Sequence, residues 1–163
     1  MKLIEIQNIL EEWSPLENSE DFDNVGLIIG NPNSDVNGAL ITIDVTEKVI
    51  DEAINMGYNL IITFHPLMYK GSNKLNSEEY VDICIEKVMK NNLNVYCIHT
   101  NLDNNPKGVS YQISRKLKLI NPNIFIKQNG DDNIGMGIIG ELKEELSEIE
   151  FLSYLKTHMD LSN

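Results

Sequence analysis

Three short stretches of this 163-residue chain carry side chains that can bind a cation or move a proton. They are Asp44 in Ile43-Asp-Val-Thr46, His65 in Thr63-Phe-His-Pro-Leu67, and His99 with Asp103 in Ile98-His-Thr-Asn-Leu-Asp103. Imidazole nitrogen and carboxylate oxygen together suit a borderline divalent ion such as Zn²⁺, Mn²⁺ or Fe²⁺. Of the 3 histidines, two fall in these stretches, and His158, near the end of the chain, is expected at the surface. Simpler roles stay open for each residue. Asp44 can cap a helix starting near Thr46, His65 can be a loop residue before Pro66, His99 can bond backbone, and Asp103 can close an Asx turn within Asn101–Pro106.

For these side chains to converge, the apolar runs that precede them must be neighbouring strands. Ala39–Ile43, Asn59–Thr63 and Leu93–Ile98 are such runs, and helical patterns separate them. Thr46 is placed to cap a helix whose Val49, Ile50, Ala53 and Ile54 face the core, and Gly57 ends it; Ser77 is placed to cap a second, with Val81, Ile85 and Val88 on one face. The order β-α-β-α-β, with strands too apolar for a wet face, predicts an α/β fold: a mostly parallel sheet flanked by helices. Ligands of such sheets bind beyond the carboxyl ends of the strands, where Asp44, His65 and His99 follow.

Elsewhere, Ile4, Ile9, Leu10 and Trp13 form the apolar stripe of a first helix closed by Pro15, and Val25–Gly30 reads as a strand or buried extended segment. A helix over 108–117 turns Val109, Ile113 and Leu117 inward, and a strand covers 133–140. The capping box Ser147–Glu150 opens a last helix bearing Ile149, Leu152 and Leu155. Residues 121–132 read as weakly structured.

Composition removes several classes of function. The formal net charge is −12 and Arg115 is the single arginine, which argues against nucleic acid as a partner. Apolar runs are far below the ~20 residues of a membrane span, and the first ten residues lack a signal-peptide pattern. Cys84 and Cys97 fit neither a disulfide framework nor a zinc pair and are read as reduced core residues of a cytoplasmic protein. Gly135-Met-Gly-Ile-Ile-Gly140 has the spacing of a dinucleotide fingerprint, but it sits in a strand-like run and opens no helix.

Five blocks in order, Asp23-Asn-Val-Gly-Leu27, Ile43-Asp-Val-Thr46, Thr63-Phe-His-Pro-Leu67, Ile98-His-Thr-Asn-Leu-Asp103 with Gly108, and Gly137-Ile-Ile-Gly-Glu141, resemble the dinuclear-metal family of type 2 GTP cyclohydrolase I homologues, the NGG-one-interacting-factor-three family. The resemblance implies a metal site in which His65 matches the second His of a His-His-Pro element and Asp103 matches the ligand of a His-Thr-x-x-Asp element. Phe64 stands where the first His belongs, and the family's C-terminal His and Glu have no counterparts, since no Glu follows His158 by four residues. Phenylalanine has no donor atom, so a degraded, at most mononuclear site is expected, with Asp44 and His99 as accessory candidates.

The resemblance further implies a single but incomplete domain over 1–163, a homo-oligomer of hexameric form, and a small-molecule substrate. Three readings follow: a metal-dependent hydrolase of the GTP cyclohydrolase type 2 kind, a non-catalytic metal-binding or regulatory protein, and the N-terminal part of a longer family member.

Overall fold

The computed structural model describes residues 1–69 and 79–161. They form two compact units, Met1–Asn101 and Leu102–Asn163. The first contains α1 (Leu3–Trp13), β1 (Gly26–Ile29), β2 (Ala39–Thr42), α2 (Glu47–Asn55), β3 (Leu60–Thr63), α3 (Tyr80–Lys90) and β4 (Asn94–Cys97). The short helix α4 (Thr100–Asp103) crosses into the second unit, which holds α5 (Val109–Lys116), β5 (Ile120–Lys127), β6 (Gly135–Glu141) and α6 (Glu148–His158).

In the first unit the sheet order is β1-β4-β3-β2. Strands β2, β3 and β4 run parallel, as their apolar runs and helical crossovers require, and β1 joins antiparallel to β4. The main core lies between this sheet and the two crossover helices. Ile50 and Ala53 of α2 and Cys84, Ile85 and Val88 of α3 pack with Ile61 and Val95, all at most 3% exposed. Val49, Ile54 and Val81 pack against the same cluster. On the opposite face, Tyr96 is buried and its hydroxyl donates to Glu11 of α1, so a helix covers that side as well.

The termini of α2 follow their sequence signals. The Thr46 hydroxyl accepts the Val49 N–H at 3.2 Å, and Gly57 takes a φ of +69°, the left-handed conformation that stops a helix. Helix α3 begins after Glu79; the expected cap Ser77 lies outside the described residues.

The sheet is not dry throughout. Ile41 on the edge strand β2 is 80% exposed and Ile43 just beyond it 63%. The apolar stripe of α1 is also turned outward: Ile4, Ile9 and Trp13 are exposed, and Leu3 and Gln7 are the residues it buries.

In the second unit β5 and β6 pair antiparallel, with Ile124 opposite Ile138. Strand β5 therefore occupies much of the stretch expected to be weakly structured. Its Asn121-Pro122-Asn123 start resembles a turn, and a register irregularity between Ile120 and Asn123 accommodates it. The last helix carries the expected reciprocal cap between Ser147 and Glu150. Helix α5 buries Ser114, while Ile113, expected to face inward, is exposed.

Gly108 precedes α5 at a point of close backbone approach. A β-carbon there would lie 1.7 Å from the Leu102 carbonyl oxygen. Gly108→Ala is expected to lower stability by about 1–3 kcal/mol in urea unfolding, since backbone and not a flexible side chain must yield.

Candidate functional site

The parallel register decides which polar side chains meet. Thr42 of β2 pairs with Thr63 of β3, and Thr63 with Cys97 of β4. Asp44, His65 and His99 each lie two residues past a member of that row. The ladder continues beyond the strands: His65 N–H donates to the Ile43 carbonyl at 2.9 Å, and Ile98 N–H to the Thr63 carbonyl at 2.9 Å. Thr63 Oγ1 lies 3.0 Å from both the Ile43 and the His65 carbonyl oxygens, which holds the β3 exit against the β2 exit.

At this edge the His65 and His99 ring centroids are 5.5 Å apart with near-perpendicular planes. Phe64 packs against both, at 5.1 Å from each. His65 Nδ1 is 2.7 Å from Asp44 Oδ1, so the carboxylate expected as either a helix cap or an accessory ligand is bound to the imidazole. Capping is the work of Thr46.

His99 has a partner that the sequence reading did not assign. Its Nδ1 lies 3.0 Å from both Asp23 carboxylate oxygens. Asp23 also accepts the Thr100 N–H at 3.0 Å, the Thr100 hydroxyl and the Asn24 N–H. Burial alone would raise the Asp23 carboxyl, but the bonds from His99, Thr100 and Asn24 outweigh it and hold the group below the usual carboxylate range. The loop carrying Asp23 is tied to the β3 exit through Asn24 Nδ2, which donates to the Met68 carbonyl at 2.7 Å. Asn101, fully buried, accepts the His99 N–H and donates to the Ser14 carbonyl, both at 2.9 Å. Asp23 stands in the first of the five sequence blocks, but no local pattern links it to a histidine 76 residues away.

Asp103 ends α4 and is half-buried, within the second unit. Within the same stretch Asn105 makes an Asx-type bond, accepting the Lys107 N–H at 2.8 Å. Among the described residues, no three His, Cys, Asp or Glu side chains are grouped to hold one metal ion. Cys84 and Cys97 are both buried and unbridged. Burial, with the Asp23 charge adding to it, pushes the Cys97 thiol up to about 12, so it is no nucleophile at neutral pH.

His158, expected at the surface, is half-buried and stacked on Tyr154 at 3.8 Å, and its Nδ1 lies 2.9 Å from the Tyr154 carbonyl oxygen. The pair lines a cavity of about 450 Å³ in the second unit, together with Lys118, Ile120, Leu142 and Leu146. None of the strand-exit residues lines it.

A profile of the Duf34/NIF3 (NGG1p interacting factor 3) family matches residues 1–163. The chain belongs to this family. Among Duf34/NIF3 relatives, it is 36% identical to the GTP cyclohydrolase 1 type 2 homolog of Staphylococcus epidermidis over 154 residues, covering 91% of this chain and 42% of that protein. It is 34% identical over 157 residues to the homolog in Clostridium acetobutylicum, covering 96% of this chain and 59% of the relative. Its fold is similar to the crystal structure of Staphylococcus aureus hypothetical protein SA1388, with a TM-score of 0.89 and 27% identity over 100% of this chain and 66% of that one. This Duf34/NIF3 chain thus spans about half the length of the two curated relatives. Among the described residues, no helix is long and apolar enough to cross a membrane.

Tyr80, at the start of α3, also supports the site, because its hydroxyl donates to the carbonyl of Val45, the residue after Asp44. Burial, followed by nearby Cys84, Asp44 and Glu47, pushes its phenol up to about 12. A folded pKa above the ordinary 10 means that the stabilisation is complete below pH 10 and is lost as pH rises toward 12. Tyr80→Phe is expected to cost about 1 kcal/mol at neutral pH. In urea titrations its difference from the unmutated protein should shrink over that alkaline window.

Proposed function

We propose that this chain is a divalent-metal-binding protein whose metal seat is at the strand exits, with His65 and His99 as its imidazole donors. The observation that carries the reading is the pairing of each imidazole Nδ1 with a carboxylate, Asp44 for His65 and Asp23 for His99, at a ring separation of 5.5 Å. An imidazole that donates from Nδ1 keeps its Nε2 lone pair for a metal, and a carboxylate on the other nitrogen raises its basicity. The donor set therefore fits a borderline ion such as Zn²⁺, Mn²⁺ or Fe²⁺. Asp44 acts here through His65.

Phe64 limits the site to one ion. It presents a hydrocarbon ring beside both imidazoles where a second donor would be needed. A bound metal would supply Lewis acidity and a water acidified toward neutral pH, the requirements of a hydrolase acting on a purine nucleotide or a phosphoester. The side chains of this chain would hold the ion and orient the two imidazoles, and Asp44, whose carboxylate is open to solvent, would be the candidate proton carrier. A small-molecule substrate, a cytoplasmic location and a homo-oligomer, hexameric by the family resemblance, belong to the same reading. The alternative, a metal-binding regulator without catalysis, is favoured by Phe64 and by the small number of grouped ligands.

Metal content per chain, measured by mass spectrometry after exposure to Zn²⁺, Mn²⁺ and Fe²⁺, tests the proposal. About one equivalent is expected, with loss of most of it in His65→Ala and in His99→Ala. Phe64→His is expected to add a second equivalent. Two equivalents in the unmutated protein would overturn the single-ion reading, and none would overturn metal binding.

A further inference from the structure

We infer that Asp23 is a positioning residue that fixes His99 as its Nδ1–H tautomer, making His99 the pre-oriented donor of the site and His65 the adaptable one. The inference deepens the metal-binding reading and rests on it for the identity of the ligand.

Three observations separate the two imidazole–carboxylate couples. The first is burial. The Asp23 side chain is 0% exposed and that of His99 12%, whereas Asp44 and His65 are 64% and 45% exposed. The second is the number of bonds that hold each carboxylate. Asp23 accepts from His99, from the Thr100 N–H and hydroxyl, and from the Asn24 N–H, whereas the Asp44 carboxylate has His65 as its one hydrogen-bond partner among the described residues. The third is the support behind these partners. The Thr100 hydroxyl receives the Glu20 N–H at 2.9 Å, so its own proton is free to point to Asp23. The His99 backbone is independently fixed by the Asn101 amide.

These bonds determine the tautomer. Every partner of Asp23 other than His99 is a donor, and an ionised carboxylate only accepts. The proton of a neutral His99 is therefore on Nδ1, and Nε2 carries the lone pair. Asp23→Asn breaks this logic, because an amide offers one oxygen where two now accept from donors. Its NH₂ group then meets His99 Nδ1 in either orientation, together with the Thr100 N–H in one and the Asn24 N–H in the other. His99 can relieve the conflict by moving its proton to Nε2, which removes the metal-donor atom. A solvent-exposed couple such as Asp44–His65 exerts weaker control, since water can replace the carboxylate.

The test reads the tautomer directly and without metal. Long-range ¹H–¹⁵N NMR of the histidine rings at mildly alkaline pH is expected to show His99 protonated on Nδ1 in the unmutated protein. In Asp23→Asn the proton should move to Nε2, and Zn²⁺ affinity should fall about 10–100-fold. Asp44→Asn should lower it by no more than about fivefold. An Nε2–H or averaged His99 in the unmutated protein overturns the inference even if Asp23→Asn does not fold. A folded Asp23→Asn with unchanged tautomer and Zn²⁺ affinity overturns it as well. An Nδ1–H His99 in a protein that takes up no Zn²⁺ supports the positioning role and overturns the metal reading alone.

Discussion

The arrangement of the site depends on the in-register parallel pairing of β2, β3 and β4. Thr42, Thr63 and Cys97 form one row, and the backbone bonds that follow carry this alignment two residues further, to Asp44, His65 and His99. A parallel ladder gives all three exits the same direction, so residues 55 positions apart in sequence share one edge without any long-range side-chain design. A one-residue slip in β3 would send His65 to the other face. The buried Ile61, Val95, Ile50 and Val88 cluster penalises that slip, since the same shift would move Ile61 out of the core. Core packing and site geometry are in this sense one constraint.

On this frame the two imidazoles receive unequal environments. The β4 exit runs into a loop crowded with bonded polar groups, and the β3 exit faces solvent beside Phe64. The phenylalanine ring lies near-perpendicular to His99 and tilted against His65. It lends no electron pair, so its effect on the edge is to space and orient rather than to bind.

Much of this was legible in the sequence, for identifiable reasons. Apolar runs of strand length alternating with 3.6-residue stripes gave the parallel core, and Thr46, Gly57 and Ser147 marked helix ends through local chemistry that needs no tertiary context. Residues at strand exits could be nominated because topology alone collects them. Asp23 could not be assigned its role, because its value lies in contacts to His99 and Thr100 across more than 70 residues of chain. The start of β5 was hidden by Asn121-Pro122-Asn123, which has turn composition, although pairing with β6 overrides it. The outward stripe of α1 follows from the same limit: periodicity shows that a helix has an apolar side, not which side a neighbour covers.

The open flank at β2 has a consequence for the behaviour of the protein in solution. Ala39-Leu-Ile-Thr-Ile43 is an edge strand with no charge and no proline, and two of its isoleucines are mostly exposed. Natural sheets commonly protect such edges with lysine, bulges or a covering segment. Here the chief safeguards are brevity, at four residues of ladder, and the mutual repulsion of a chain with a net charge of −12. Colloidal stability is therefore tied to ionic strength: salt that screens the repulsion favours edge-to-edge association at the same time.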